Sequence, residues 1–360
     1  MTKLFITGAT GYIGGDALYA IASAYPNLSI TAMVRNSDKG AKVASQYPKI
    51  RLVYGNLDST ELITTEASKA DIVLHCAHAD HEGSANAIVA GIAQKEGKPG
   101  YFIHTSGTGI LSYADYEIKS YGNYNEKIYD DWDNIEDVTK RIPVTAIHKN
   151  VDDIVLAAGT QHPGKIFTAI VAPPCIWGPG RGPDNQKSIQ IYTMTRAILK
   201  RGIGFHVGEG KNVWTEVHVQ DLSNVFVALV NAALEDGGKA TWNDEGYYFA
   251  ENGDILWGEV ATTITKIAYE KKLINSPNVD NVSPEKADEM QKSGSYLWGM
   301  NSRCRAIRAR KLLTWEPKQK SVLQSLPEIV DGEARGLGRT KGHAAQASGE
   351  HGISDVGVRS

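Results

Sequence analysis

Short apolar runs alternate with amphipathic stretches along the first half of the chain. The runs predict buried strands at residues 3–7, 29–34, 50–54, 71–76, 101–105 and 166–171. The stretches between them predict helices, the clearest at residues 13–24, 59–70, 84–94 and 149–158. Parallel strands need crossover connections that cover both faces of a sheet, so this alternation indicates parallel pairing. The pattern therefore predicts an α/β fold built on a Rossmann-type, doubly wound parallel sheet.

The alternation stops after the fifth predicted strand. Residues 107–144 are polar and rich in tyrosine, aspartate and asparagine, without periodicity, and predict a long loop. Such a loop is typical of a substrate lid, although an ordinary exposed surface segment explains its composition equally well. Residues 172–185 (APPCIWGPGRGPDN) are rich in proline and glycine, which argues against regular structure there. Helices at 221–234 and 256–271 with a strand at 247–250 then predict a mixed region.

These patterns divide the chain into three parts. Residues 1–178 form the predicted Rossmann core, which binds the cofactor and includes the 107–144 loop. Residues 179–335 form a smaller mixed C-terminal cap for the substrate, from which residues 214–234 return to the core. Residues 336–360 are Gly-rich, small and polar, a composition that buries little apolar surface, and they predict a disordered tail.

Composition narrows the class of protein without identifying it. The 360 residues carry a formal net charge of -3, which gives no reason to expect nucleic acid or a membrane surface as partner. No apolar run approaches the ~20 residues that span a bilayer, and the chain enters a strand at Lys3 without the features of a signal peptide. Three separated cysteines, Cys76, Cys175 and Cys304, favour neither disulfides nor a metal site. We expect a cytoplasmic monomer or homodimer that acts on a small molecule.

Glycines follow the first predicted strand at once and lead into a helix. In a dinucleotide-binding loop the first glycine (Gly8) permits a tight turn, the second (Gly11) lets the backbone approach a diphosphate, and the third (Gly14) allows close helix–strand packing. The diphosphate then meets the free N–H groups and the positive end of the helix dipole. Strand, loop and helix occur in the required order, so we predict dinucleotide binding. The predicted contacts in this loop are Gly8, Thr10, Gly11, Tyr12, Ile13 and Gly14.

The end of the second predicted strand bears on the choice of cofactor. An acidic residue there binds the ribose 2′-hydroxyl of NAD and repels a 2′-phosphate. This chain instead has Arg35, followed by Asn36 and Ser37, with Lys39 nearby and no acid before Asp38. A guanidinium at this position pairs with a phosphate and stacks on adenine. We therefore predict NADP(H) as the cofactor.

The TGATGYIGG segment at residues 7–15 resembles the extended and atypical short-chain dehydrogenase/reductases, an epimerase/dehydratase-like superfamily that includes regulatory NADP binders. The resemblance continues in register at residues 55–58, 73–78, 173–180, 214–222 and 309–317. It implies further cofactor contacts from Asn56, Leu57, Asp58, Cys76, Ala77, His78 and Pro173. It also implies that Asn185 and Trp214 line a substrate cleft between core and cap.

The same resemblance locates catalytic positions, where the sequence departs from the family pattern. Active members use a serine or threonine after the fifth strand and a Tyr-x-x-x-Lys helix, whose tyrosine transfers a proton and whose lysine holds the nicotinamide ribose. Alignment puts Lys149 at the lysine and Thr145 at the tyrosine. The usual hydroxyl falls on Gly107, with Ser106 and Thr108 on either side. The resemblance thus implies that Lys149 holds the ribose and that Ser106 or Thr108 polarises the substrate.

Three explanations for the missing tyrosine stay open. Another group replaces it, either His148, His78 or a tyrosine of the long loop. Alternatively, the substrate needs little proton donation, as with an activated alkene or imine. In the third explanation the protein binds NADP(H) without turnover. The leading hypothesis is an NADP(H)-dependent oxidoreductase of a small or medium organic carbonyl or related unsaturated substrate. The alternatives are a non-catalytic NADP-sensing regulator and an epimerase or isomerase that retains its cofactor.

Overall fold

The apolar runs form strands and the stretches between them form helices in the computed structural model, which describes residues 1–339. The strands are β1 (Lys3–Thr7), β2 (Ser29–Val34), β3 (Arg51–Tyr54), β4 (Ile72–His75), β5 (Gly100–Thr105), β6 (Tyr129–Asp130), β7 (Ile166–Ala172), β8 (Cys175–Trp177), β9 (Gly204–Val207), β10 (Val213–His218), β11 (Tyr247–Phe249), β12 (Asp254–Leu256), β13 (Val279–Val282) and β14 (Cys304–Arg305). The helices are α1 (Tyr12–Ala24), α2 (Ser37–Gln46), α3 (Thr60–Lys69), α4 (Glu82–Gln94), α5 (Tyr113–Glu117), α6 (Glu136–Thr139), α7 (Lys149–Gln161), α8 (Gln190–Arg201), α9 (Val219–Leu234), α10 (Trp257–Glu270), α11 (Pro284–Met290), α12 (Gly294–Gly299), α13 (Ile307–Leu313) and α14 (Val322–Gly336), with 3₁₀ turns at Thr108–Ser112 and Asn243–Glu245.

The central sheet has seven strands in the order β11-β7-β5-β4-β1-β2-β3, and its neighbouring strands are parallel. The chain runs from β1 to β2 and β3 on one side and places β4 on the other, so the strand order reverses at β1. In doubly wound sheets this reversal opens a crevice at the carboxyl ends of the strands, where ligands bind. The fold class predicted from the hydrophobic pattern is confirmed.

Helix α1 shows how the sequence positions that crevice. Gly11 precedes the helix and supplies no side-chain cap, while Ala17, Leu18 and Ile21 are fully buried in the main hydrophobic core. Full burial of a leucine or isoleucine side chain contributes about 1.5–3 kcal/mol. These contacts hold the helix against its neighbours, so that its N-terminus stays at the end of β1.

A second hydrophobic core lies in the C-terminal part of the chain. Helices α8, α10 and α14 contribute to it, and its fully buried aromatic side chains include Phe205, Trp257 and Trp298. Small sheets accompany this core, with β8 and β12 flanking β10, and β9 beside β13. One core thus belongs to the seven-stranded unit and the other to the region that the sequence assigns to a cap.

Residues 172–185 do contain regular structure, so our prediction for this segment was wrong. Cys175–Trp177 form β8, which pairs in parallel with β10. Pro173 and Pro174 precede the strand and Gly178 follows it, so none of them interrupts the ladder of backbone hydrogen bonds.

The 107–144 segment is not a continuous loop either. It contains a 3₁₀ turn, α5, β6 and α6, each too short to show a period in the sequence. The buried carboxylate of Asp131 accepts hydrogen bonds from the backbone N–H groups of Phe249 and Ile307, both 2.8 Å long. These bonds fix the segment on elements that lie far away in the sequence.

The last part of the chain adds one strand to the core sheet. Residues Tyr247–Phe249, which we grouped with the cap, form strand β11 and pair with β7 in the core sheet. They therefore return to the core, as we had predicted only for residues 214–234. Helix α14 extends through Gly336, where the predicted tail begins, and residues 340–360 of that tail lie outside the described residues. Within residues 1–339 no helix has the length and apolar character needed to cross a membrane.

Candidate active site

The glycine loop has the close packing that a dinucleotide-binding turn requires. Gly8 has φ +81°, and a Cβ there would lie 2.4 Å from the carbonyl oxygen of Cys76. A Cβ at Gly14 would lie 2.4 Å from the carbonyl oxygen of Gly8, so neither position accepts a side chain. Helix α1 begins without a side-chain cap, which leaves the N–H groups of its first turn available to an anion. These features fit a cofactor diphosphate.

A cavity of about 730 Å³ lies beside this loop, at the carboxyl ends of β1, β2, β3 and β4. Its lining includes most of the predicted cofactor residues, namely Gly8, Thr10, Gly11, Arg35, Asn56, Leu57, Asp58, Cys76, Ala77 and His78. The lining residues that the sequence analysis did not assign to the cofactor are Met33, Val34, Lys39, Gly55, His81, Asp184 and Asn185. Asn185, predicted to contact substrate, therefore lies at the cofactor cavity. A cavity of this size is large enough for a dinucleotide-sized ligand.

The remaining predicted cofactor residues lie around this cavity rather than on its lining. Tyr12 is buried and its hydroxyl donates to the carbonyl oxygen of Gly178 over 2.6 Å. Burial raises the pKa of Tyr12 well above its usual value. Pro173 accepts a hydrogen bond of 2.9 Å from the backbone N–H of Thr108, and Ile13 packs against the main core. These residues shape the walls behind the glycine loop.

Arg35 and Lys39 line one end of the cavity and give it positive charge, and Lys42 lies next to this end through its contact with Asp184. Arg35 is exposed and follows β2 directly, at the position where the sequence analysis expects a contact with a 2′-phosphate. The ammonium groups of Lys39 and Lys42 both contact the carboxylate of Asp184. Hydrogen bonds from the two lysines lower the pKa of Asp184. Asp184 could not be recognised from the sequence, because it lies 145 residues from Lys39 and meets it only in the folded chain.

That loop is anchored to helix α1 by a buried carboxylate. Asp16 has no exposed surface and accepts hydrogen bonds from Arg181, at 2.8 Å from the backbone nitrogen, 2.9 Å from Nε and 2.8 Å from Nη2. The hydroxyl of Ser223 donates a fourth bond over 2.6 Å. The backbone N–H of Asn185 reaches the carbonyl oxygen of Thr10 over 3.3 Å. The loop thereby becomes one wall of the cofactor cavity.

The side chains predicted to be catalytic already have partners inside the protein. Ser106 Oγ donates to Asp152 Oδ2 over 2.9 Å. Thr108 Oγ1 lies 2.8 Å from the hydroxyl of Ser302, and neither threonine nor serine is exposed. The ammonium group of Lys149 is buried and pairs with Asp153 one helical turn further along α7.

Asp152 lies at the centre of a buried polar cluster beneath this edge of the sheet. It accepts hydrogen bonds from Ser106 and, over 3.2 Å, from the hydroxyl of Tyr247. Burial raises the pKa of its carboxyl group from the usual 3.8 to about 7. His104 Nε2 lies 3.8 Å from Asp152 Oδ1, and burial holds the pKa of His104 well below its usual value.

His148 and Asp80 form a pair, and the ring of His148 lies beside Gly107, the position to which the resemblance assigns the catalytic hydroxyl. Nδ1 of His148 lies 2.6 Å from Oδ1 of Asp80, in the loop after β4. Nε2 of the same ring faces Gly107, where a Cβ would lie only 3.1 Å away. Thr145, at the aligned tyrosine position, is exposed. Sequence analysis named His148 as one possible proton donor, but Asp80 had no recognisable signal.

Trp214, predicted to contact substrate, lies in the cap core instead of on an open cleft. It is buried, its indole N–H donates to the carbonyl oxygen of Met300 over 2.7 Å, and its ring packs edge-on against Tyr296. The Tyr296 hydroxyl points towards Gly109 and, within residues 1–339, has no hydrogen-bond partner. No group of His, Cys, Asp or Glu in this part of the chain is arranged to hold a metal ion.

The glycine loop, the crevice at the reversed strand order and the two-core architecture define a class of protein. Residues 8–140 match a family model described as NAD(P)H-binding. The chain belongs to the same family as an oxidase described below, to which it is 36% identical. It contains an NAD(P)H-binding domain, and its fold, of the NAD(P)-binding oxidoreductase type, is that of extended short-chain dehydrogenase/reductases of the NAD-dependent epimerase/dehydratase-like kind.

Among individual proteins, the chain is similar to oxidase ucsJ of an Acremonium species, with 36% identity over 345 residues that cover 93% of this chain and 99% of the relative. An uncharacterised protein of Saccharomyces cerevisiae is 23% identical over 339 residues, which cover 90% and 97% of the two chains. The fold is shared with UDP-glucose 4-epimerase of Thermotoga maritima (TM-score 0.63, 15% identity, 93% and 100% covered). It is also shared with dTDP-glucose 4,6-dehydratase of Streptomyces venezuelae (TM-score 0.64, 16% identity, 93% and 97% covered).

Proposed function

We propose that this protein is an NADP(H)-dependent oxidoreductase of a small or medium organic carbonyl or related unsaturated substrate. The observation that carries the proposal is the course of the cofactor cavity. It runs from Arg35 and Lys39 at one end, past the glycine loop, to His78 at the other. His78 lies on the loop that also carries Asp80, so the cavity ends beside a histidine–aspartate pair.

Each part of the cavity matches one part of the proposed cofactor. The N–H groups at the start of α1 would bind the diphosphate, and Asp58, on the cavity lining, would hold the adenine amino group. Arg35 would pair with a 2′-phosphate, which favours NADP over NAD. When bound, the nicotinamide exchanges a hydride with the substrate carbon.

The predicted catalytic residues take supporting roles in this proposal. Ser106 holds Asp152, and Thr108 holds Ser302, so both hydroxyls stabilise the edge of the sheet. Lys149 lies at the N-terminus of α7, close to the same edge, and must leave Asp153 before it can hold a ribose. We therefore expect Lys149 to affect cofactor affinity more than the proton transfer.

A panel of carbonyl compounds tests the proposed activity. Purified protein is mixed with NADPH and each compound, and loss of the reduced-nicotinamide absorbance is followed alongside the alcohol product. We expect oxidation of NADPH with matching product for at least one class of carbonyl. Tight binding of NADPH without oxidation by any of them would contradict the proposal.

A non-catalytic NADP-sensing role is the second candidate, and one observation favours it. The three side chains predicted to be catalytic, Ser106, Thr108 and Lys149, are all engaged within the protein. A sensor would bind NADPH and NADP+ with different affinities and change its protection from hydrogen exchange on binding. The same panel separates the candidates, since a sensor leaves NADPH intact.

A further inference from the structure

The space that a missing side chain leaves at Gly107 is filled by an imidazole. We propose that His148 is the catalytic acid and base that replaces the family's tyrosine. Asp80 orients its ring, and the absence of a side chain at Gly107 leaves space for it. This inference rests on the oxidoreductase function proposed above. It adds a catalytic residue, an orienting carboxylate and a reason for the glycine.

The geometry of the pair matches that of an oriented general acid. Asp80 Oδ1 lies 2.6 Å from His148 Nδ1, so the carboxylate accepts a hydrogen bond from Nδ1–H and fixes both the tautomer and the orientation of the ring. Nε2 then points the other way, and within residues 1–339 no side chain or backbone group forms a hydrogen bond with it. The His148 side chain is 18% exposed, so the ring is not sealed from solvent.

Two neighbouring segments hold the pair in place. The backbone N–H of Asp80 donates to Nδ1 of His78 over 3.0 Å, and the amide of Asn150 donates to Glu82 over 2.9 Å. The start of α7 is thereby joined to the loop after β4. His148 itself has φ +69°, a left-handed conformation that is uncommon for residues other than glycine. Strain of this kind is typical of functional positions.

Gly107 is needed for space and not for backbone freedom. Its φ of -169° is extended backbone that any residue adopts. A Cβ would nevertheless lie 3.1 Å from Nε2 of His148, closer than the ~3.5–4.0 Å of a favourable contact between non-bonded atoms. An alanine or serine here would therefore displace the imidazole while leaving the strand end intact.

His148 is a better candidate than His78, although His78 lines the cavity. Nδ1 of His78 accepts a backbone N–H bond, so no carboxylate orients its ring through that nitrogen. The charged or titratable groups around His148 are Asp80 and His78 from one loop, Lys149 and Asp152 from α7, and His104 from β5. Burial opposes ionisation of Asp80, but its bonds to His148 outweigh this and lower the pKa of the carboxyl group.

The proton balance of the reaction follows from this arrangement. As the carbonyl carbon gains a hydride, the C=O π bond becomes a C–O single bond with its electron pair on oxygen. Protonated His148 gives the Nε2 proton to that oxygen, which yields the alcohol and leaves a neutral imidazole still bonded to Asp80. Water returns a proton to Nε2 before the next turnover. In the oxidation direction, neutral Nε2 takes the alcohol proton.

The test compares four single variants of the full chain. His148→Ala, Asp80→Asn and Gly107→Ala each alter the pair, whereas His162→Ala changes a histidine just past the other end of the same helix and is the matched control. NADPH binding, measured by calorimetry, should be unchanged in all four. We expect His148→Ala and Gly107→Ala to lower kcat by ~100-fold or more, and His162→Ala to leave it unchanged. Imidazole added to His148→Ala should restore part of the rate.

The remaining outcomes separate this inference from the proposed function. Asp80→Asn should lower kcat with little change in KM, and it should move the pH profile of kcat, which a merely structural role would not do. Full activity of His148→Ala, in a wild type that reduces carbonyls, would overturn the inference and leave the oxidoreductase function standing. A wild type that binds NADPH and reduces nothing would overturn both. Loss of kcat without imidazole rescue, together with weakened NADPH binding, would assign His148 to structure.

Discussion

Replacement of Asp16 by asparagine tests how the cofactor cavity obtains one of its walls. The change keeps the shape of the side chain but removes the charge that Arg181 contacts through three nitrogen atoms. It also replaces one acceptor oxygen with an amide NH₂ group, which cannot accept hydrogen bonds from the Ser223 hydroxyl and the guanidinium. The expected result is a less stable protein with a loosened loop after β8.

The expected loss of stability depends on how deeply Asp16 and Arg181 are buried. Asp16 has no exposed side-chain surface, whereas the Arg181 side chain is 31% exposed. Breaking a fully buried ion pair costs about 3–5 kcal/mol. Arg181 recovers part of its hydration when released, so we expect the free energy of unfolding to fall by about 2–3 kcal/mol.

Urea unfolding of the wild type, Asp16→Asn and the exposed-site control Asp133→Asn measures this difference. Affinity for NADPH should fall as well, because the loop that Arg181 anchors carries Asp184 and Asn185 on the cavity lining. A stability for Asp16→Asn within about 0.5 kcal/mol of the wild type would refute the reasoning, because surface substitutions alone reach that size. Unchanged NADPH affinity in a destabilised protein would limit the role of Asp16 to folding.

Two further predictions concern charge. Arg35→Ala should weaken NADP+ binding by roughly 10- to 100-fold and leave NAD+ binding nearly unchanged, since a charge-assisted bond to phosphate contributes about 1.5–3 kcal/mol. Calorimetry with both cofactors measures the two affinities, with Arg141→Ala as the control variant. An equal loss of affinity for NADP+ and NAD+ would contradict the contact of Arg35 with the 2′-phosphate. Asp152 has its pKa raised from 3.8 to about 7, so its contribution to stability is fully present below its usual pKa and is lost as pH rises towards the folded value. In urea unfolding, Asp152→Asn should therefore gain stability relative to the wild type as pH rises from about 4 to about 7. A difference that stays constant over this range would contradict the raised pKa of Asp152.

Local patterns in the sequence were sufficient for the sheet and the glycine loop. Apolar runs and the order of Gly8, Gly11 and Gly14 depend on neighbouring residues, and six of the seven strands of the sheet formed as predicted, while β11 had been grouped with the cap. Strand β8 was missed because its three residues lie between prolines and glycine, and only pairing with β10 stabilises them.

The candidate site was harder to predict because its groups meet only in the folded chain. Asp80 and His148 are 68 residues apart, and neither lies in a motif that requires the other. Asp184 reaches Lys39 from 145 residues away. Family alignment pointed to Ser106 and Thr108 by position, but it could not show that Asp152 and Ser302 occupy their hydroxyls.

The contact of Asp184 with Lys39 and Lys42 affects how the cavity responds to salt. An anionic ligand that binds these lysines displaces the carboxylate of Asp184, so the number of ion pairs that the lysines form changes little. Exposed charges are screened over about 8 Å at physiological ionic strength. Affinity for a phosphorylated ribose should then depend on ionic strength mainly through Arg35. Removing Asp184 would add attraction for the ligand and make its binding weaken more steeply as salt is added.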